Sequence, residues 1–247
     1  MRNPLYVKEY YKRKGTISKW WHPESLDASK NPVRPFRDIY VREKEDVISI
    51  IEPEGKIILD AGAGDGRLTM ELFKRGAKGV YALDVSDEML KIARKKMKKQ
   101  SIYDNFGFVQ GDIENLGFKE NMFDVVVCIH TFVHLPSPSK AIYELAKIIK
   151  PGGKLILDIT NRNFLYNVAY LRSIPNIISL FKATMGVIAI YFPIGPLRDS
   201  GGPFRGYSKE QFEDIIRKST KNLKIQEVRT YEACKFPIFF LFIINRI

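Results

Sequence analysis

The stretch Ile57-Ile58-Leu59-Asp60-Ala61-Gly62-Ala63-Gly64-Asp65-Gly66-Arg67-Leu68 decides the fold. Its first residues are a short apolar run ending in an acid, the pattern of a strand buried on both faces. Three alternate glycines then turn the chain into what reads as a helix. Glycine tolerates positive φ and carries no side chain, so the backbone can come close to a bound molecule and offer it N–H groups from a helix N-terminus. A dinucleotide fingerprint needs its third glycine where Arg67 stands. With Asp60 adding negative charge at the strand end, the expected ligand is cationic or zwitterionic rather than a pyrophosphate.

Working outward, Gly79-Val80-Tyr81-Ala82-Leu83-Asp84-Val85-Ser86 is a second apolar strand ending in an acid, twenty residues after Gly64. In open α/β sheets an acid at that distance hydrogen-bonds ribose hydroxyls. Gly111-Asp112-Ile113 follows a third strand, Phe106 to Gln110, and brings another carboxylate to the same edge. From Lys56 the pattern alternates: strand 57–60, helix 66–75, strand 79–84, helix 87–99, strands 106–110 and 123–129, helix 138–149, strand 154–160. Such alternation means a parallel sheet with helices on both faces. A single Asp at a strand-to-helix turn is commonly a cap or turn residue. Three of them at the ends of three successive strands, beside a glycine loop, point to one ligand crevice.

Together with Phe123-Asp124-Val125-Val126-Val127-Cys128 and Ile149-Lys150-Pro151-Gly152-Gly153-Lys154, the pattern over roughly residues 36–160 resembles the class I S-adenosylmethionine-dependent methyltransferases. The likeness is to the small-molecule branch that contains the quinone methyltransferases. It implies a Rossmann-like seven-stranded α/β sheet, mostly parallel with a C-terminal antiparallel hairpin, and helices on both faces. It also implies S-adenosyl-L-methionine as cofactor, with Asp60, Gly62, Ala63 and Gly64 around its methionine part. Asp84 would take the ribose hydroxyls and Val85 pack on the adenine, while Asp112 accepts from the adenine amino group and Ile113 covers the ring. Cys128, in the fourth strand, and His130, after it, complete the expected cofactor site, and no metal is expected. Ala63 stands where the family often has Cys.

Methyl transfer from a sulfonium is an in-line displacement with an already activated donor, so alignment and exclusion of water supply most of the acceleration. A base is needed only if the acceptor must lose a proton. The candidates are His130 and His134, in the segment Cys128 to Pro136. His134 also reads as a structural pin of that loop. Tyr10 and Tyr11, in the aromatic N-terminal segment, are candidates to cap the sulfonium, with Tyr11 counted among the catalytic residues. Asp158, Asn161 and Arg162 are expected on the rim where the acceptor sits, with Tyr207 a weaker candidate.

The 247 residues, 45% of them apolar, suffice for one large α/β domain. Its expected parts are an N-terminal lid (1–35), a cofactor-binding core (36–160), an apolar insert or cap (161–206), and a C-terminal helix with closing strands (207–247). Ser208-Lys209-Glu210-Gln211 reads as a capping box, and Leu223–Tyr231 pairs with Ile238–Arg246. Two cysteines, Cys128 and Cys234, without C-x-x-C spacing suit a reducing compartment. The first residues hold no apolar run of signal-peptide length, so a cytoplasmic location is expected.

The net charge of +12 admits nucleic acid, an anionic membrane surface or an anionic substrate. Its densest run, Lys91, Arg94, Lys95, Lys96, Lys98 and Lys99, lies opposite Met89, Leu90, Ala93 and Met97 and reads as a solvated helix stripe. Phe164 to Ile194 carries only Arg172 and Lys182 as charges. It suggests a lid over an apolar acceptor, a homodimer contact or a peripheral membrane contact, and is too interrupted to span a bilayer. The expected function is methyl transfer to a small apolar or amphiphilic acceptor, lipid-like or quinone-like. The rivals are an RNA (tRNA) methyltransferase and a non-catalytic cofactor-binding regulator.

Overall fold

The computed structural model describes residues 34–99, 106–162, 206–233 and 236–247. Tyr10 and Tyr11, and the apolar stretch Phe164 to Ile194, lie outside them. The described chain runs α1 (Arg34–Ile51), β1 (Ile57–Ala61), α2 (Arg67–Lys74), β2 (Gly79–Asp84), α3 (Asp87–Lys99), β3 (Phe106–Gln110), β4 (Phe123–Cys128), a single tight turn of helix (Phe132–His134), α4 (Pro138–Ile148), β5 (Ile149–Thr160), α5 (Lys209–Ser219), β6 (Leu223–Ala233) and β7 (Phe236–Arg246).

Seven strands form one sheet in the order β3-β2-β1-β4-β5-β7-β6. β1 to β5 pair in parallel, and β7 runs antiparallel between β5 and β6. The chain builds outward from β1 through β2 to β3, then returns to place β4 on the other side of β1. That reversal opens a crevice above the carboxyl ends of β1 and β4, where ligands bind in sheets of this kind.

The apolar runs work because both faces are covered. Leu59, Val126, Leu155 and Leu157 face a core completed by Ile142, Leu145 and Phe212 of α4 and α5. Their neighbours Ile58, Val125, Val127 and Ile156 face the opposite core, completed by Val47, Ile48 and Ile51 of α1 and by Leu68 and Leu72 of α2. Each fully buried aliphatic side chain contributes about 1.5–3 kcal/mol of transfer free energy, so the alternation fixes which face each strand residue takes.

Local signals hold at the element ends. Ser208 Oγ accepts from the Gln211 amide at 3.2 Å while Ser208 N–H donates to Gln211 Oε1 at 3.1 Å, closing the expected capping box. On α3, Leu90, Ala93 and Met97 are buried while Lys91, Lys95 and Lys98 are exposed, so the lysines are a solvated stripe. β5 departs from its expected start by beginning at Ile149. Ile149 pairs with Phe123 and Lys154 with Val125, so Lys150 to Gly153 bulge out between them. A Cβ on Gly153 would stand 2.7 Å from the Asp124 carbonyl oxygen, and only glycine closes that bulge.

Candidate functional site

A cavity of about 210 Å³ opens above the crevice. Asp60, Gly62, Ala63, Gly64, Asp84, Val85, Asp112, Ile113, His130 and His134 all line it. Arg67, Met89, Thr131 and Leu135 join them, none of which the sequence had marked. Cys128 corrects the expectation. It is 0% exposed, packed in the core on the α4 and α5 side, with its thiol held protonated by burial, and it does not reach the cavity.

The glycine loop is built differently from the expected row of ligand-facing amides. Gly62 and Ala63 both donate to the Leu83 carbonyl, at 2.7 and 2.9 Å, and Gly66 donates to Ala63 O at 3.0 Å. Gly64 donates to Asp84 Oδ2 at 2.8 Å. The Gly62, Ala63 and Gly64 amides are spent holding the loop onto β2, and the Gly66 amide closes a turn within it. What the glycines provide is space: Gly62 has φ +83°, and a Cβ there would lie 2.1 Å from Thr131 Oγ1. Gly64, at φ +54°, has only Met89 Cε at 3.6 Å in front of its absent Cβ.

The three acids differ in state. Asp84 receives Gly64 N–H on one oxygen and Ser86 N–H on the other, both at 2.8 Å. Each carboxylate oxygen has a second lone pair, so it can still accept from a vicinal diol. Burial raises its pKa against those backbone bonds. Asp112 uses Oδ1 to accept from Glu114 N–H at 2.9 Å and ends in the cavity wall. Asp60 is 3% exposed and accepts from Thr69 Oγ1 at 2.6 Å. Burial pushes its carboxyl up to about 6, opposed by the Thr69 hydrogen bonds.

His130 is not the base the sequence suggested. Its Nδ1 lies 2.9 Å from Asp158 Oδ2 and its Nε2 3.0 Å from Glu43 Oε2. Burial alone would lower its pKa, but the two carboxylates outweigh burial and push it up to about 10. At neutral pH the ring is an imidazolium and has no lone pair to accept a proton. His134, by contrast, is held down to about 4, by burial first and then by the charge on His130. It is the neutral imidazole of the cavity.

The expected rim residues sit elsewhere. Asp158 is 2% exposed beneath His130, and Asn161 is 5% exposed. Arg162 N–H donates to the Tyr207 carbonyl at 3.1 Å and Tyr207 N–H to Thr160 O at 3.0 Å, which ties β5 to the entry of α5. None of the four lines the cavity. Glu43, which does not line the cavity, is a further residue that sequence reading missed. It sits 1% exposed in the middle of α1, a charged residue on an otherwise apolar helix face, and that break in pattern was its one signal.

A family model described as a methyltransferase domain matches residues 59–157, the span from β1 through β5 that builds this cavity. Over those residues the chain is similar to methyltransferase domains. It is 34% identical over 155 residues to a ubiquinone biosynthesis O-methyltransferase of Coxiella burnetii, covering 63% of this chain and 61% of that protein. The protein of the same name from Alkalilimnicola ehrlichii is 31% identical over 163 residues, covering 66% and 63%. The chain thus matches less than two thirds of the length of these relatives.

Solved structures share the fold across nearly the whole length. The magnesium protoporphyrin IX methyltransferase of Synechocystis PCC 6803 superposes with a TM-score of 0.70 at 19% identity, covering 99% of both chains. The 4+2 cyclase SpnF gives 0.71 at 13% identity, covering 99% and 97%. A methyltransferase-like fold therefore does not by itself fix the reaction.

Proposed function

We propose that this chain transfers a methyl group from S-adenosylmethionine to an oxygen of a small apolar or amphiphilic acceptor such as a phenolic quinone precursor. The observation that carries the reading is the meeting of Asp60, Asp84 and Asp112 at one cavity, beside a loop whose Gly64 leaves room for a ligand. The donor set fits the cofactor. Asp84 offers two acceptor oxygens to a ribose diol, Asp112 with Ile113 suits the adenine, and Asp60 favours the cationic methionine end. Bound S-adenosylmethionine supplies a methyl already activated on a sulfonium.

The chain's own residues bind and orient the reactants, and the apolar side chains of Ile113, Leu135 and Met89 in the pocket lining limit the water around them. His134, neutral and lining that pocket, is the group that accepts a hydrogen bond from an acceptor hydroxyl. With its pKa held down to about 4 the ring is a weak base, so it orients the hydroxyl, and the proton passes to solvent as the methyl–oxygen bond forms. The name of the 34%-identical relatives supports O-methylation, and the apolar stretch 164–194 supports a poorly charged acceptor. We read the whole chain as one domain, with 164–194 serving as lid, dimer contact or membrane contact. Among the described residues no helix is long and apolar enough to cross a membrane.

The test is incubation with labelled S-adenosylmethionine and, separately, a lipid extract, a metabolite pool and bulk tRNA. Label should enter a small organic product, with little dependence on salt. Steeply salt-sensitive labelling of tRNA would replace this reading with the RNA methyltransferase, because phosphate contacts weaken as salt rises. Cofactor binding with no labelled product in any pool would favour the non-catalytic regulator.

A further inference from the structure

We propose that Glu43, on α1, is a positioning residue for the cavity: through the imidazole of His130 it fixes the left-handed turn that holds Thr131 against the glycine loop. The inference rests on reading the cavity as the cofactor site.

Four observations join into one chain of contacts. His130 has φ +56°, a conformation that a residue with a side chain keeps only where its surroundings hold it. The holding comes from opposite sides. Asp158 of β5 accepts the His130 amide at 2.5 Å and faces Nδ1 at 2.9 Å, while Glu43 of α1 faces Nε2 at 3.0 Å. The next residue, Thr131, occupies the space that a Cβ on Gly62 would fill, and its Oγ1 lies within hydrogen-bond reach of Ala61 O at 3.4 Å. A shift of the His130 ring therefore moves Thr131, and Thr131 bears directly on the loop that shapes the cavity floor. Glu43 touches no cavity surface itself.

Glu43 has no other evident reason to be where it is. A carboxylate 1% exposed is costly unless paired, and the partner here is the His130 ring, whose Nε2 lies 3.0 Å from Glu43 Oε2. Burial still holds the Glu43 carboxyl above its usual pKa, and the positive charge of His130 is the largest influence opposing that shift. The groups around the pair are Asp158 from β5, Arg67 from α2, His134 from the turn after β4 and Tyr231 from β6. Asp158 and Arg67 act on Glu43 in opposite senses, and Glu43 and Asp158 together raise the pKa of the ring, so removing the Glu43 charge takes away one of its two supports.

Imidazole NMR reads the link. The chain has three histidines, His22, His130 and His134, so His130 is assignable with a His130→Asn control. In the ligand-free wild type the His130 ring should stay an imidazolium across about pH 5.5 to 8.5, where an ordinary histidine titrates. In Glu43→Gln a titration of that ring should enter the window. S-adenosylhomocysteine affinity by calorimetry should fall about tenfold and acquire the same pH dependence. Glu43→Asp, which keeps the charge, should restore most of both and serves as the readable variant if Glu43→Gln does not fold. A purely structural Glu43 would lower the melting temperature and leave the pH profile of binding flat, which overturns the proposal. So does a wild-type His130 that titrates near its ordinary midpoint. A wild type that binds neither S-adenosylmethionine nor its product overturns the cofactor reading and the positioning role together, and its unchanged His130 signal marks that failure as distinct.

Discussion

Gly62 and Gly64 are two residues apart, share positive φ and look equivalent in sequence, yet the structure assigns them different costs on substitution by alanine. Both variants carry the penalty of a side chain in the left-handed region, about 1–2 kcal/mol. For Gly64→Ala that is nearly all, since the new methyl would meet only Met89 Cε at 3.6 Å, an ordinary contact. For Gly62→Ala the methyl would lie 2.1 Å from Thr131 Oγ1, 2.7 Å from Cγ2 and 2.9 Å from Cβ. Forcing such a contact into a packed region adds about 1–3 kcal/mol. With a urea slope of about 3 kcal/mol/M, a further 2 kcal/mol would separate the two midpoints by about 0.7 M.

The assay is urea unfolding followed by circular dichroism, with Thr131→Ala as the third corner of a double-mutant cycle. Thr131→Ala removes the two closest atoms, so it should recover at least about 1 kcal/mol when combined with Gly62→Ala. Gly64→Ala should stay folded but lose cofactor affinity, because its methyl projects into the cavity. Equal destabilisation by the two alanines, or strict additivity of Gly62→Ala with Thr131→Ala, would refute the account of the loop as space made for Thr131.

Three further outcomes follow from the site. Asp84→Ala should weaken S-adenosylmethionine binding by at least about 1.5 kcal/mol in calorimetry, since it removes a charged acceptor and frees the Gly64 amide it holds; retained affinity would take Asp84 out of the site. Asp112→Ala should shrink the preference for adenosyl over inosyl cofactor analogues, and an unchanged ratio would place the adenine elsewhere. His134 should contribute to acid unfolding: its folded pKa of about 4 lies below the usual 6.5, so the neutral ring's contribution is complete above about pH 6.5 and is lost as pH falls through about 4. His134→Phe should flatten stability across that interval, as read by melting temperature against pH, and an identical acid limb would show that the ring is not buried neutral.

The sequence by itself determined the sheet and the place of the site. Apolar runs of strand length, glycines at the end of β1 and acids at the ends of β1 and β2 are local patterns, and each acts through backbone geometry that neighbouring residues set. That is why Asp60, Gly64, Asp84 and Asp112 could be brought to one crevice from spacing alone. The states of those groups were decided only by the tertiary structure. Whether a loop amide faces a ligand or Leu83 O, whether Cys128 points to the cavity or the core, and which histidine is neutral all depend on atoms far apart in the chain. His130 and His134 stand four residues apart, and nothing local distinguishes their chemistry. Glu43 from α1 and Asp158 from β5 make one a cation, and burial beside that cation keeps the other neutral. Charge interactions strengthen as water is excluded, so protonation follows from the packed neighbours rather than from the residue type.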